Sequence, residues 1–179
     1  RYPGNIRKVV QRRGGPPVIL KTLRGSQGAG VILAESYEAV ESMLDTLWTL
    51  GEDLMIQRFV AESRGRDLRA FVVGGQIVAA MRRTARAGEF RSNIHRGGVA
   101  EEATLSAPQA RLTLDAARAG GLRVCGVDLL ESDHGPLVLE VNASPGFQAL
   151  EEATGIDCAA LIVQETVRAA HAYGAPIPE

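Results

Sequence analysis

Residues 138–146 read VLEVNASPG. Val138, Leu139 and Val141 give this run the character of an apolar strand, yet Glu140 and Asn142 stand two residues apart and so project from one face of it. A carboxylate beside a carboxamide on a strand needs a reason, because buried polar groups are costly unless partnered. A second acid is equally out of place upstream: Asp128 lies inside VCGVDLLE, residues 124–131. Cross-strand partners in an antiparallel pair share a face. If Asp128 lies opposite Glu140 in an unbroken ladder, the strands are joined by the odd-length connection 132–136. An even-length connection turns Asp128 to the other face unless a β-bulge restores the phase. The reading therefore predicts an odd connection or a bulge within 124–142. Two acids and an amide oxygen on one face make a hard, oxygen-only donor set, the kind magnesium takes together with phosphate oxygens. The plainer alternative is a salt-bridged acid near a turn-forming asparagine.

The remaining composition narrows the classes. The chain has 179 residues, 45% of them hydrophobic, enough for one sizeable core or two small subdomains. A net charge of -1 gives no footprint for direct nucleic-acid binding. Cys125 and Cys158 lie far apart, which argues against a disulfide framework or zinc site and fits a reducing cytoplasm. No apolar run is long enough to span a membrane. The opening residues, RYPGNIRKVVQRRGG, read as the interior of a longer chain. Only Lys8 and Lys21 among the 20 basic residues are lysines, which singles out Lys21, since arginine serves elsewhere.

The pattern along the chain mixes hairpins and helices, an α+β arrangement. Strands are expected at 16–23 and 30–35, then a helix capped by Ser36 and ended by Gly51. Strands follow at 54–60 and 67–83, the latter a hairpin turning at Gly74 and Gly75. A loop over 84–99, a helix over 106–119, strands over 123–131 and 137–142, a turn and a helix over 157–173 complete the reading. Between the first two strands lies GSQGAG, residues 25–30, with no Walker ending and no helix to open a dinucleotide fingerprint. It fits a hairpin tip whose bare backbone N–H groups close over phosphates; an ordinary hairpin turn has the same composition. Lys21 precedes this tip and could reach a phosphate, although alone it reads as a lysine that snorkels to the strand edge. Arg91, Ser92 and Asn93, within GEFRSNIHRGG, offer an arginine able to offset charge on a transferring phosphoryl group, or else form a solvated loop.

Taken together, VILKTLRGSQGAGVIL, IQRFVAESRGRDLRAFVVGGQIVAAM, GEFRSNIHRGG, GVDLL and LVLEVNASPG resemble the ATP-grasp ligases, and more narrowly the RimK-type alpha-L-glutamate ligases. The resemblance covers nearly all of residues 16–174. It implies an ATP-grasp fold in which two α+β subdomains grip ATP, here 1–60 with the glycine loop and hinge strand and 61–179 with the magnesium site. It also implies an N-terminal domain and a further ATP-contacting lysine, neither within these residues.

By the same resemblance, Asp128, Glu140 and Asn142 hold two magnesium ions, for which manganese can substitute. Lys21 and the loop residues Gly25, Ser26, Gln27, Gly28 and Gly30 contact phosphates. Arg58 and Phe59 belong to the hinge strand that meets the adenine edge, and Asp67 binds the nucleotide. Arg91, Ser92 and Asn93 contact nucleotide and acyl phosphate, with Arg91 and Asn93 in catalytic roles. Arg58 and Arg82 stand where glutamate is usual in the family, which bears on nucleotide selectivity. The implied reaction is an ATP-dependent carboxylate–amine ligation through an acyl phosphate, adding L-glutamate to a protein C-terminus such as that of a small-subunit ribosomal protein. The family admits a homo-oligomer. A ligase for another amino acid or a small-molecule acceptor, and a nucleotide-binding module without ligase activity, are the alternatives.

Overall fold

Along Val18–Thr22, Val18 and Leu20 are fully buried while Ile19 and Lys21 are only partly so, the period-2 signature of a strand with one covered face. The computed structural model describes residues 5–24, 29–94 and 97–174. It places this strand, β1, at the centre of a three-stranded antiparallel sheet between β2 (Val31–Ala34) and β3 (Leu54–Arg58). Two helices, α1 (Ile6–Arg12) and α2 (Tyr37–Thr49), close one face: Ile6, Val10, Val40 and Leu44 pack with Val18, Leu20 and Ala34. Ser36 caps α2 as its sequence position suggests, accepting the Ala39 N–H at 3.1 Å. Helix α1 went unmarked in the sequence, because only Ile6 and Val10, one turn apart, point inward. These elements lie in the first of two units, Arg1–Ala61.

The second unit, Glu62–Glu179, is built on a five-stranded antiparallel sheet ordered β6-β5-β4-β7-β8. Its strands are β4 (Arg66–Val73), β5 (Gln76–Thr84), β6 (Val99–Glu102), β7 (Val124–Ser132) and β8 (Gly135–Asn142). Strands β4 and β5 turn at Gly74 and Gly75, whose φ of +60° and +79° meet the demand of a tight two-residue hairpin for left-handed backbone. The expected loop 84–99 yields its last residue to the short edge strand β6. Helix α3 (Ala107–Ala119) covers one sheet face, over Leu68, Val72, Cys125, Val127 and Leu129. Helices α4 (Gln148–Thr154) and α5 (Cys158–Ala172) supply Leu150 and Cys158 to a second cluster on the other face, with Phe71, Val73, Ala79 and Met81. That cluster fills only one end of its face. The architecture is α+β, as expected.

The hairpin of β7 and β8 decides where the acids go. Its turn is only two residues long, Asp133 and His134, since Ser132 pairs with Gly135. An unbroken ladder from so even a turn would misphase Asp128. The register instead shifts: Leu129 pairs with Val138, but Asp128 pairs with Glu140, and Leu139 is the extra residue of a bulge. The bulge, one of the two devices anticipated, brings Asp128 and Glu140 to the same face, with Asn142 opposite Gly126.

Gly126 is required by closeness. A Cβ there would stand 2.9 Å from the Pro145 Cβ, whereas one on nearby Gly146 would meet nothing within 4 Å. Gly126→Ala is expected to lower unfolding free energy by about 1–3 kcal/mol through overpacking. Gly146→Ala should stay within about 0.5 kcal/mol of wild type. Denaturant unfolding of the two variants checks the contrast, and equal midpoints would refute it.

Candidate functional site

The sheet face that α4 and α5 cover at one end is polar at the other. Strand alternation puts Asp67, Arg69 and Phe71 of β4 on that face. Register then adds neighbours: Arg83 beside Asp67, Asp128 beside Arg69, and Glu140 beside Asp128. A row of charges thus crosses β5, β4, β7 and β8.

Arg83 grips Asp67 with two parallel bonds, Nε to Oδ1 at 2.6 Å and Nη2 to Oδ2 at 2.7 Å. The same Nη2 reaches Asp128 Oδ2 at 2.8 Å. Arg69 takes both oxygens of Asp128, each at 2.7 Å. Arg83, Asp67 and Asp128 are all at most 5% exposed. Two cations and two anions therefore balance in a nearly dry setting, where fork-to-fork geometry is at its strongest. Burial opposes ionisation of Asp128, but the two guanidiniums outweigh it and hold its carboxyl below the ordinary carboxylate range. Burial raises the Asp67 carboxyl, because this residue has only a share of Arg83 and lies near the negative Asp128. Ser92 adds a donor, its hydroxyl lying 2.5 Å from Asp67 Oδ2.

The segment that brings Ser92 is held by its backbone. The Gly65 N–H donates to the Phe90 carbonyl at 3.2 Å, and a Cβ on Gly98 would lie 2.9 Å from the Ser92 carbonyl and 3.2 Å from that of Asn93. Neighbouring Arg91 is tied to Glu89 through Nε at 2.9 Å and Nη2 at 2.8 Å. That guanidinium, with backbone N–H donors, brings the Glu89 carboxyl down to about 2.

At the far end of the row, Asn142 donates to Glu140 at 3.2 Å. Among the described residues no three His, Cys, Asp or Glu side chains gather as a metal-ligand cluster. A cation here would have two carboxylates and an amide oxygen, and the donor chemistry suits magnesium, which keeps waters and phosphate oxygens in its shell. Asp128 suits it also in detail. Its Oδ2 accepts from both arginines, but Oδ1 accepts only from Arg69 Nε, which leaves a lone pair for a cation.

In the first unit, Lys21 pairs with Val31 and Met55 and lies on the sheet face opposite the one buried under α1 and α2. Gly30 follows the hairpin tip at φ +73°, where a Cβ would collide with the Thr22 hydroxyl at 2.0 Å. Arg58 is exposed at the end of β3 and Phe59 half-buried beyond it. Gly25, Ser26, Gln27 and Gly28 lie outside the described residues.

Three residues of the site went unmarked in the sequence: Arg69, Arg83 and Glu89. Arg69 was legible from spacing, since it follows Asp67 by two in an otherwise apolar strand. Arg83 and Glu89 depend on contacts across the sheet and within a loop. Arg82, singled out in the sequence, lies on the opposite face. There it pairs with Glu131, Nη1 to Oε2 at 2.5 Å, and Gln109 of α3 joins them at 3.2 Å. It braces β5 to β7 across β4 and stays out of the charged row.

Comparison with known proteins identifies the family and the fold. A family model described as a RimK-like ATP-grasp domain matches residues 1–166. The "Probable alpha-L-glutamate ligase" of Shewanella loihica is 48% identical over 162 residues, covering 90% of this chain and 54% of that protein. The protein so named in Rhodopirellula baltica is 50% identical over 159 residues, covering 89% of this chain and 39% of that protein. The chain thus spans about half, or less, of the length of these curated relatives. In fold, it is similar to the ATP-grasp ligase PsnB complexed with minimal precursor, Mg and ADP, at TM-score 0.67 and 24% identity, covering 92% of this chain and 51% of that one. D-cycloserine synthetase DcsG has a TM-score of 0.73 at 18% identity, covering 93% of this chain and 60% of that one. The fold is the ATP-grasp fold, and the chain belongs to the RimK-like ATP-grasp family.

Proposed function

We propose that the protein is an ATP-dependent carboxylate–amine ligase that adds L-glutamate to an acceptor carboxylate, such as a protein C-terminus. The observation that carries this reading is the pairing of Asp128 with Glu140 beside the buried Arg83–Asp67 pair. Two acids and a carboxamide on one face, with Asp128 held ionised by Arg69 and Arg83, suit phosphoryl chemistry with a divalent cation. Relatives named as glutamate ligases support the choice of amino acid, and the PsnB complex supports ATP with magnesium.

In this reading, an acceptor carboxylate attacks the γ-phosphate of ATP, displaces ADP and becomes an acyl phosphate. The amine of glutamate then attacks that carbonyl and expels phosphate. The chain mostly positions the reactants and supplies positive charge. Lys21 and the glycine loop 25–30 contact phosphates, and Arg58 and Phe59 lie at the adenine edge. Asp67, oriented by Arg83 and Ser92, accepts hydrogen bonds from the nucleotide. Arg91 and Asn93 face the transferring group. Asp128, Glu140 and Asn142 hold magnesium, which when bound offsets negative charge on the phosphates. A ribosomal protein as acceptor, manganese as substitute and two ions as the count belong to the same proposal.

The test is to incubate the full-length protein with ATP, magnesium, each amino acid in turn and candidate acceptor peptides, and to weigh the products. A mass gain of one or more glutamyl units supports the reading, whereas gain from another amino acid alone, or none, refutes it.

Two variants probe the row itself. Glu140→Ala should abolish magnesium-dependent ATP turnover while leaving the circular dichroism spectrum unchanged, because Glu140 is only partly buried at the end of the row. Wild-type-like turnover would remove Glu140 from the site.

The adjacent arginines give a second contrast. Arg83→Met strands two buried carboxylates, and should cost about 3–5 kcal/mol in urea unfolding. Arg82→Met opens a partly exposed pair, and should cost about 0–1 kcal/mol. Similar losses would show that the buried row is not the stronger constraint.

A further inference from the structure

Glu89 is placed so that its carboxylate meets its own backbone and a neighbouring side chain at once. It accepts the N–H groups of Phe90 at 2.9 Å and Arg91 at 3.0 Å, which locks the carboxylate onto the turn. It also takes Nε and Nη2 of Arg91 in a fork at 2.9 and 2.8 Å. The Phe90 ring lies 5.2 Å from the same guanidinium carbon. The side chains of Glu89 and Arg91 are 12% and 22% exposed, so the pair is partly screened from water. The segment is anchored on both sides, by Gly65 to Phe90 and by Ser92 to Asp67. A guanidinium gripped in this way has little rotational freedom relative to Asp67.

We propose that Glu89 is a positioning residue: it fixes the Arg91 guanidinium in the orientation that meets a phosphoryl group in transfer. The proposal rests on the reading of Arg91 given above. An arginine on a free side chain would have to be ordered each time the reaction occurs, and a pre-oriented one avoids that cost. The Glu89 carboxylate contributes through Arg91 and touches no substrate atom.

The test uses the full-length protein, magnesium, and two probes, ADP alone and ADP with aluminium fluoride, which mimics a phosphoryl group in flight. Glu89→Gln keeps an oxygen for the two backbone N–H groups but loses the charged fork. It should lower affinity for the aluminium fluoride complex about tenfold, change that for magnesium–ADP no more than about twofold, and leave Tm within a few degrees. Arg91→Met should lose at least as much, and Glu89→Gln should add nothing in the Arg91→Met background.

Unchanged or tighter binding of the fluoride complex by Glu89→Gln, with Arg91→Met impaired, overturns the role of Glu89 alone. An additive loss in the double variant does so too, as does a parallel fall in Tm and magnesium–ADP affinity, which would make Glu89 structural. Unaltered binding by Arg91→Met overturns the reading of Arg91 and the inference with it.

Discussion

The second unit turns on a single compensation: Arg83 and two aspartates buried side by side on one sheet face, with the half-buried Arg69 beside them. Asp67 and Asp128 could not remain ionised there alone, and Arg83 reaches both. The row also constrains neighbours. Cross-strand register has to be held in β5, β4 and β7 together, or the forks open. Removing one partner leaves an uncompensated charge in a dry place, so each member of the row is held there by the others.

The same face shows how one sheet can carry an apolar core at one end and a charged row at the other. Strand alternation supplies Phe71 and Val73 further along the row that begins with Asp67 and Arg69. Helices α4 and α5 cover the apolar end, and loop 85–94 supplies Ser92 to the polar end. The opposite face is devoted to packing under α3, and its charged rim, Arg82 with Glu131, braces β5 to β7. This division explains why two consecutive arginines in β5 differ so much in role: they point to opposite faces.

Much of this was legible in the sequence. Period-2 alternation gave β1, the β4–β5 hairpin and the acids of β7 and β8; Ser36 and Ser106 marked helix starts. Short elements escaped, since α1 and α4 have too few turns to show a period. The candidate ligands Asp128, Glu140 and Asn142 were visible because polar groups interrupt apolar runs. Of their partners, Arg69 was marked only by its spacing from Asp67, and Arg83 by nothing, because an arginine in an Arg-rich chain carries no signal until the register puts it beside a carboxylate. Glu89 was hidden for a different reason: in a polar loop, an acid next to an arginine is unremarkable until the backbone turn places them in contact.

The bulge at Leu139 separates the hairpin into two regions with independent phase. Inward of it, pairing is fixed by Asp128 and Glu140; outward, by the two-residue turn at Asp133 and His134. Deletion of Leu139 would join the two registers into one continuous ladder and still leave Asp128 opposite Glu140. A residue inserted or lost at the tip is taken up outward of the bulge, so the tip can change length while Asp128 stays opposite Glu140. What descent has to preserve is the pairing inward of Leu139, to which neither the turn's length nor the bulged residue is bound.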